Sequence, residues 1–479
     1  MRILLLNPPG DQPYLRDYYC SHTAKAHYFW HPYDLVVQSG ILSRHHEVLG
    51  LDANVLGLSF ETARRRVFDL KPEGILLLTG AASWRNDFAF MDSLDLPRSV
   101  PVVASGDLML SRGAEYIHRI PWLTAALNDF TSDSPSTYFD SWDRSINGVK
   151  NGQVPLPHIQ YQTRNGVVDG PEPRNKDFSF PLPRMDIFPM NRYRIPHGKQ
   201  RRFWSTLTDF GCPFHCSFCV SGTLPYKTRD IDNIMQELRY VRDLGYRELW
   251  VKDVTFGVNR KHTQAFLQDL EKESLGFSWV ALSRVDVVNE ELLQLMARTG
   301  CHTIQLGVES ADEKILDSID KQIRPERVKE IFQLCRKLKI RTLAHFIIGL
   351  PGETEESAQQ TIEFSKELDP DFASFNIATP KVGTPLRSEA IERGWTDPEV
   401  DTLDNSTAFP AMEIGSLSSQ RVWELRNQAI REFHLRPHYL IRKAMGVRTP
   451  WELYRSIQNA FVLLRSTCEH PKKRGDDTV

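Results

Sequence analysis

The 479-residue chain is poor in cysteine, in charge of one sign and in long apolar runs. Its seven cysteines lie at 20, 212, 216, 219, 301, 335 and 468, and only three of them are close together. That distribution excludes the disulfide framework of a small secreted domain and points to a reducing compartment, so a cytoplasmic location is expected. Lys and Arg total 59 and Asp and Glu 61, a formal net charge of −2. No general basic field therefore favours nucleic acid or an anionic membrane as partner. The short basic run Lys472, Lys473 and Arg474 reads as a solvated tail. No apolar stretch reaches the roughly 18 residues that a membrane helix requires. The opening MRILLLNPPG is stopped by Pro8 and Pro9, so it reads as a buried strand entering a loop and not as a signal peptide.

What is present is the composition of a globular protein, with 41% hydrophobic and 25% charged residues and length for two or three domains. Residues 1–145 alternate apolar strands (3–6, 47–52, 74–78, 101–104) with helical stretches near 35–44 and 62–70. Continuous apolar strands separated by helices predict a parallel, doubly wound α/β sheet. Residues 146–200 hold eight prolines and read as a packed linker, because Phe178, Phe180, Ile187, Phe188 and Tyr193 are interleaved with them. Alternation resumes over residues 201–390, with strands at 203–209, 247–252, 277–282, 302–308, 341–348 and 372–378. Helices are expected between them, at 230–244, 261–273, 290–299, 325–338 and 354–367. Six such right-handed units, not eight, make a partial barrel or an open sheet. Residues 391–479 are expected to be mostly helical, including a segment over 451–464.

The chemistry concentrates in TDFGCPFHCSFCVSG, residues 208–222, directly after the first strand of the repeat. Cys212, Cys216 and Cys219 have Cys-x3-Cys-x2-Cys spacing. Three thiolates on one loop can hold three irons of a cubane cluster and leave the fourth open. Two alternatives stand beside this. Adding His215 would give a Cys3His zinc set, although His215 adjoins Cys216 and both side chains would have to turn to one ion. Cys216 and Cys219 could form a redox disulfide pair, which leaves Cys212 unexplained. Cys301 and Cys335 read as small core residues.

The cysteine motif, with Phe218 before its last cysteine, resembles the cluster loop of radical S-adenosylmethionine enzymes. That resemblance covers residues 200–385 and implies a (β/α)6 partial TIM barrel. It also implies a [4Fe-4S] cluster on Cys212, Cys216 and Cys219, whose open iron chelates S-adenosyl-L-methionine. In such enzymes an electron from the cluster breaks a carbon–sulfur bond and yields methionine and a 5′-deoxyadenosyl radical. An electron donor such as flavodoxin or ferredoxin is implied as partner, together with a small-molecule substrate. Further candidates lie after successive strands, where barrel active sites form. They are Asp253 for the methionine amino group, Ser283 and Arg284 for the ribose or carboxylate, and Glu309 as a polar cofactor contact. The backbone around Ile347 and Gly349, in FIIGLPGET, is the candidate for the adenine. Each has a plainer reading: Asp253 or Glu309 as a loop acid or cap, Arg284 as the partner of Asp286, Gly349 as turn geometry.

The layout of α/β domain, proline-rich stretch, barrel and helical tail resembles the subclass with an amino-terminal cobalamin-binding-like domain. The matching segments are residues 3–9, 46–54, 101–104 and 431–445. The resemblance implies a Rossmann-like sheet with cobalamin at its carboxyl-end crevice, lined here by loops 79–84 and 105–108. The chain departs from the pattern in having no Asp-x-His-x-x-Gly, so no lower-axial histidine is named. The implied reaction is methylation of an unactivated carbon in a small metabolite. The competing expectations are a cobalamin-independent oxidoreductase or rearrangement catalyst, and a non-enzymatic protein with structural zinc. Methylthiotransferases and auxiliary-cluster maturases need further cysteine groups, which the scattered Cys20 and Cys468 do not supply.

Overall fold

The computed structural model describes residues 1–24, 28–149, 156–163, 165–173, 175–406, 409–445 and 458. Apart from residue 458, the helix expected over 451–464 lies outside these residues, as do Cys468 and the basic run at 472–474.

The amino-terminal sheet contains β1 (Arg2–Asn7), β2 (Glu47–Asp52), β3 (Gly74–Leu78), β4 (Val102–Ser105) and β5 (Ala125–Leu127). These are parallel and lie in the spatial order 2-1-3-4-5. That order reverses between β1 and β3, which is the switch point where doubly wound sheets bind ligands. The strand interiors are apolar because both faces are covered. Leu5, Leu76 and Leu78 enter one core, while Leu4, Leu6, Ile75 and Leu77 enter the other. Helix α1 (Tyr33–Leu42) packs on the first face, and α2 (Phe60–Leu70), α3 (Trp84–Ser93) and α4 (Met109–Arg119) on the second. A further helix, α5 (Ser134–Ser141), adds Tyr138 and Phe139 to the first core. Two antiparallel strands, β6 (Ile159–Thr163) and β7 (Gly166–Asp169), extend the sheet beyond β5 from within the proline-rich stretch. Phe180, Phe188 and Tyr193 of that stretch are buried.

The second sheet holds β8 (Trp204–Thr206), β9 (Glu248–Val251), β10 (Ser278–Arg284), β11 (Cys301–Glu309), β12 (Arg341–Ile348) and β13 (Phe372–Ile377). All are parallel and adjacent in sequence order. The connecting helices are α6 (Ile231–Asp243), α7 (Arg260–Glu273), α8 (Glu290–Arg298), the short α9 (Glu313–Ser318), α10 (Pro325–Lys337) and α11 (Glu355–Leu368). Asp230, Asn259, Asn289 and Thr354 cap α6, α7, α8 and α11 by accepting from a first-turn backbone N–H. Each cap is worth about 1 kcal/mol and fixes where its loop ends. Helix α12 (Pro385–Glu392) follows β13, and α13 (Ser419–His434) and α14 (Pro437–Met445) close the tail. Phe433 of α13 packs against Phe375 with ring centroids 6.1 Å apart.

Buried ion pairs join the two units. Lys252 meets Asp17 and Lys227 meets Asp129, while Lys381 lies 3.7 Å from Asp107. Each lysine comes from the carboxyl-end loops of the barrel and each aspartate from the amino-terminal unit. The two carboxyl-end faces therefore meet, and the residues between them are enclosed.

Candidate active site

The cysteine loop is tied at its neck. Asp209–Phe210 pairs antiparallel with Lys227–Arg229, so the chain leaves and returns side by side. Gly211, at φ +79°, turns the chain into the loop, and a Cβ there would lie 2.4 Å from the Pro225 carbonyl oxygen. No other residue fits that position. Cys212 and Cys216 are buried and Cys219 is half-buried, all as free thiols. Burial holds the Cys219 thiol above its ordinary range, and the neighbouring Cys216 and Cys212 add to the rise. The Cys212 sulfur is 3.5 Å from the Thr255 hydroxyl. The Arg284 guanidinium donates to the Cys216 sulfur at 3.1 Å. His215 is exposed, on the other side of the burial boundary from Cys212 and Cys216. Among the described residues no three His, Cys, Asp or Glu side chains are placed to hold a single metal ion. A zinc site draws its ligands to about 2.3 Å from one point, whereas a cubane cluster spreads three thiolates over three irons.

Of the other residues selected from the sequence, Arg284 touches the loop at Cys216 and Asp253 holds the chain leading into it. Asp253 is buried and accepts from the backbone N–H groups of Thr208 (2.7 Å) and Asp209 (3.2 Å) and from the Thr208 hydroxyl. It fastens the chain just before the neck, and burial pushes its carboxyl up to about 6. Asp209 accepts from the Tyr226 hydroxyl at 3.1 Å, and its second oxygen is buried without a hydrogen-bond partner among the described residues. Burial, with Asp253 beside it, raises the Asp209 carboxyl well above the carboxylate range. The Ser283 hydroxyl donates to the Phe256 carbonyl at 2.7 Å. Glu309 ends β11 at φ +64° and accepts from Lys321 at 2.8 Å. Arg284 donates to the Lys321 carbonyl at 2.7 Å, so the ends of β10 and β11 are joined. Phe218 is half-buried against the main core. Ile347 is buried near the end of β12, and the Gly349 N–H donates to the Glu353 carboxylate.

Glu353 makes the region sensitive to pH. It is fully buried, and its second carboxylate oxygen has no hydrogen-bond partner among the described residues. Burial pushes its carboxyl up to about 8, against the pull of the Gly349 and Leu350 backbone. The folded chain thus keeps a proton that the unfolded chain releases above its ordinary glutamate pKa. The stability this gives is complete below that ordinary value and is lost as pH rises through about 8. Between pH 5 and 9 the loss is expected to be on the order of a few kcal/mol, and Glu353→Gln should flatten it. Melting temperatures at several pH values check this. Parallel wild-type and variant curves would contradict it.

Sequence reasoning missed Cys20 and Lys381. The Lys381 ammonium donates to the Cys20 sulfur at 3.2 Å. Burial opposes the charge on Lys381, yet Cys20 and Asp107 outweigh it and hold the ammonium above the lysine range, with Cys219 adding to the effect. Cys20 therefore faces Lys381 across the boundary between the two units. No spacing or motif in RDYYCS marks Cys20 in the sequence; the burial of its polar neighbours Arg16, Asp17 and Ser21 shows only in the structure.

A six-strand parallel partial barrel with three cysteines on the loop after its first strand, faced by a doubly wound sheet, defines a class. Residues 208–365 match the family model of the Radical SAM superfamily. An uncharacterized methyltransferase of Pyrococcus horikoshii is 34% identical over 290 residues, covering 58% of this chain and 61% of that protein. The anaerobic magnesium-protoporphyrin IX monomethyl ester cyclase of Rubrivivax gelatinosus is 27% identical over 406 residues, covering 79% of this chain and 68% of that protein. The chain thus spans about three fifths to two thirds of the length of these relatives. Among solved structures, the radical S-adenosylmethionine methyltransferase TsrM from Kitasatospora setae, with cobalamin and [4Fe-4S] cluster bound, aligns with a TM-score of 0.63 at 18% identity. That alignment covers 82% of this chain and 78% of that chain. The cobalamin-dependent radical enzyme OxsB aligns with a TM-score of 0.66 at 15% identity, covering 96% of this chain and 72% of that chain. Residues 208–365 are thus similar to the Radical SAM superfamily, and the chain shares the fold of these cobalamin-bound structures, its amino-terminal unit included. No described helix is long and apolar enough to cross a membrane.

Proposed function

We propose that the protein is a radical SAM enzyme that methylates an unactivated carbon of a small metabolite, with Cys212, Cys216 and Cys219 holding a [4Fe-4S] cluster. The observation that carries this reading is the tied loop that presents Cys212, Cys216 and Cys219 as free thiols at the carboxyl-end face of the barrel, with Cys219 sensing the other two. The donor set fits a cluster with one iron lacking a protein ligand. The buried Asp209 oxygen that has no hydrogen-bond partner among the described residues precedes the cysteine loop and fits S-adenosyl-L-methionine, which carries ammonium and sulfonium cations. When bound, these groups supply an electron that breaks a carbon–sulfur bond, and cobalamin supplies a relay for the methyl group.

The chain's own contribution is placement and the exclusion of water. Asp253 holds Thr208 and Asp209, so the cysteine loop starts from a fixed point. Tyr18 stacks on Phe210 at 5.4 Å and meets Phe130 at 4.8 Å, and Trp30 meets Trp250 at 4.9 Å. These rings wall the space between the two units.

For cobalamin the fit rests on the sheet's carboxyl edge. A Cβ on Gly106 would lie 1.9 Å from the Thr79 carbonyl oxygen, so the floor of the crevice is bare backbone. Asp17, Tyr18 and Asp34 each hold a buried polar atom without a hydrogen-bond partner among the described residues, suited to the amide groups of a corrin. A second reading, radical chemistry without cobalamin, is favoured by one fact. Asp107 accepts from Ser21 and from the Ala81 N–H, and Asp87 from Arg16, Ser83 and Thr79, so loops 79–84 and 105–108 are engaged with the chain itself. Incubation of the reduced, reconstituted protein with hydroxocobalamin and S-adenosyl-L-methionine separates the two. Methylation predicts one retained corrinoid per chain and S-adenosylhomocysteine as product. No retained corrinoid, with 5′-deoxyadenosine alone, would contradict it and support the second reading.

A further inference from the structure

We infer that Arg284 is a positioning residue for the cluster, donating a charged hydrogen bond to the Cys216 sulfur and raising the cluster's reduction potential. The inference rests on the cluster reading above. Arg284 ends β10 and is buried. Its Nε and one Nη2 hydrogen go to the two Asp286 carboxylate oxygens at 2.9 and 2.8 Å. The other Nη2 hydrogen goes to the Lys321 carbonyl at 2.7 Å, and one Nη1 hydrogen goes to Cys216 at 3.1 Å. The guanidinium plane also lies 4.0 Å from the centre of the Phe214 ring, within the cysteine loop. Four of its five N–H groups are thus directed, one of them at a cluster ligand. The contact to the ribose or carboxylate of S-adenosyl-L-methionine expected from the sequence has one N–H left to use.

The three sulfurs are not treated alike. Cys212 has a neutral hydroxyl, Thr255, at 3.5 Å, whereas Cys216 receives a cationic donor. A charged hydrogen bond to a thiolate withdraws electron density and stabilises the reduced, more negative cluster over the oxidised one. Asp286 is partly exposed and holds the guanidinium in place without cancelling its hydrogen bond to sulfur. The fork geometry is specific to arginine, so lysine is an incomplete substitute.

The test is an anaerobic redox titration, followed by electron paramagnetic resonance, on the full reconstituted chain with parallel iron and sulfide assays. Arg284→Gln should still load the cluster and lower the equilibrium constant for its reduction about tenfold, equal to about 59 mV for one electron. Arg284→Lys should shift it less, and so should Thr255→Val, which removes only a neutral donor. Arg284→Gln loaded with an unchanged midpoint overturns the inference. If Arg284→Gln fails to retain iron, Arg284→Lys decides: a lowered midpoint supports the inference and an unchanged one overturns it. A wild-type protein that takes up no iron would instead overturn the cluster reading itself.

Discussion

Replacing any one of Cys212, Cys216 or Cys219 with alanine is expected to abolish cluster retention and cleavage of S-adenosyl-L-methionine. In the proposed site each thiolate would hold a separate iron, so two remaining ligands could not keep a cubane with a defined open corner. A fall in 5′-deoxyadenosine formation of at least ~1,000-fold, about 4 kcal/mol in activation free energy, is the expected scale. The substitutions themselves are mild. Buried Cys212 and Cys216 are small apolar side chains in the fold, so alanine should cost about 1 kcal/mol of stability or less. Iron and sulfide assays, nucleoside chromatography and melting curves measured together separate loss of the cluster from loss of the fold. A variant that cleaves S-adenosyl-L-methionine at the wild-type rate would remove that cysteine from the site.

The second large effect is expected from Asp129→Ala. Lys227 forms the neck of the cysteine loop through its pairing with Phe210, and its ammonium is buried against Asp129 and the Thr131 hydroxyl. The rings of Phe178 and Phe210 flank it at 5.0 Å each. Removing the carboxylate strands a cation in this setting, which costs about 3–5 kcal/mol. The melting temperature should fall, and the cluster should be lost faster, because the neck of its loop is the part released. Asp129→Ala combined with Lys227→Met should recover most of the stability, since an apolar pair of similar volume avoids the buried charge. A single variant as stable as wild type would show that the pair does not hold the two units together.

The parts legible in the sequence were those with a local physical signature. Strands β1, β3 and β9–β13 are buried on one or both faces, so their apolar runs stand out whatever surrounds them. The cysteine loop was legible from spacing alone. Strands β6 and β7 were not, because IQYQT and GVVD border the sheet's edge and are half-buried or exposed at most positions. The six-residue α9 is too short to show a helical period. The partners of the selected residues were illegible for a different reason. Arg284 and Cys216 are 68 positions apart, and Lys381 and Cys20 are 361 apart. Only the meeting of strand ends brings such groups together, and nothing local in either segment marks the other. Hence Asp253, selected to meet a cofactor, is found fastening the backbone that leads into the cysteine loop.

The central claim is a cluster with one iron open to S-adenosyl-L-methionine. Electron paramagnetic resonance of the reduced, anaerobically reconstituted chain, recorded with and without S-adenosyl-L-methionine, tests it most directly. The account predicts four irons and four sulfides per chain and a cluster signal that changes on addition of S-adenosyl-L-methionine, because the added molecule reaches the open iron. A colourless protein holding one zinc, or a cluster signal indifferent to S-adenosyl-L-methionine, would contradict it.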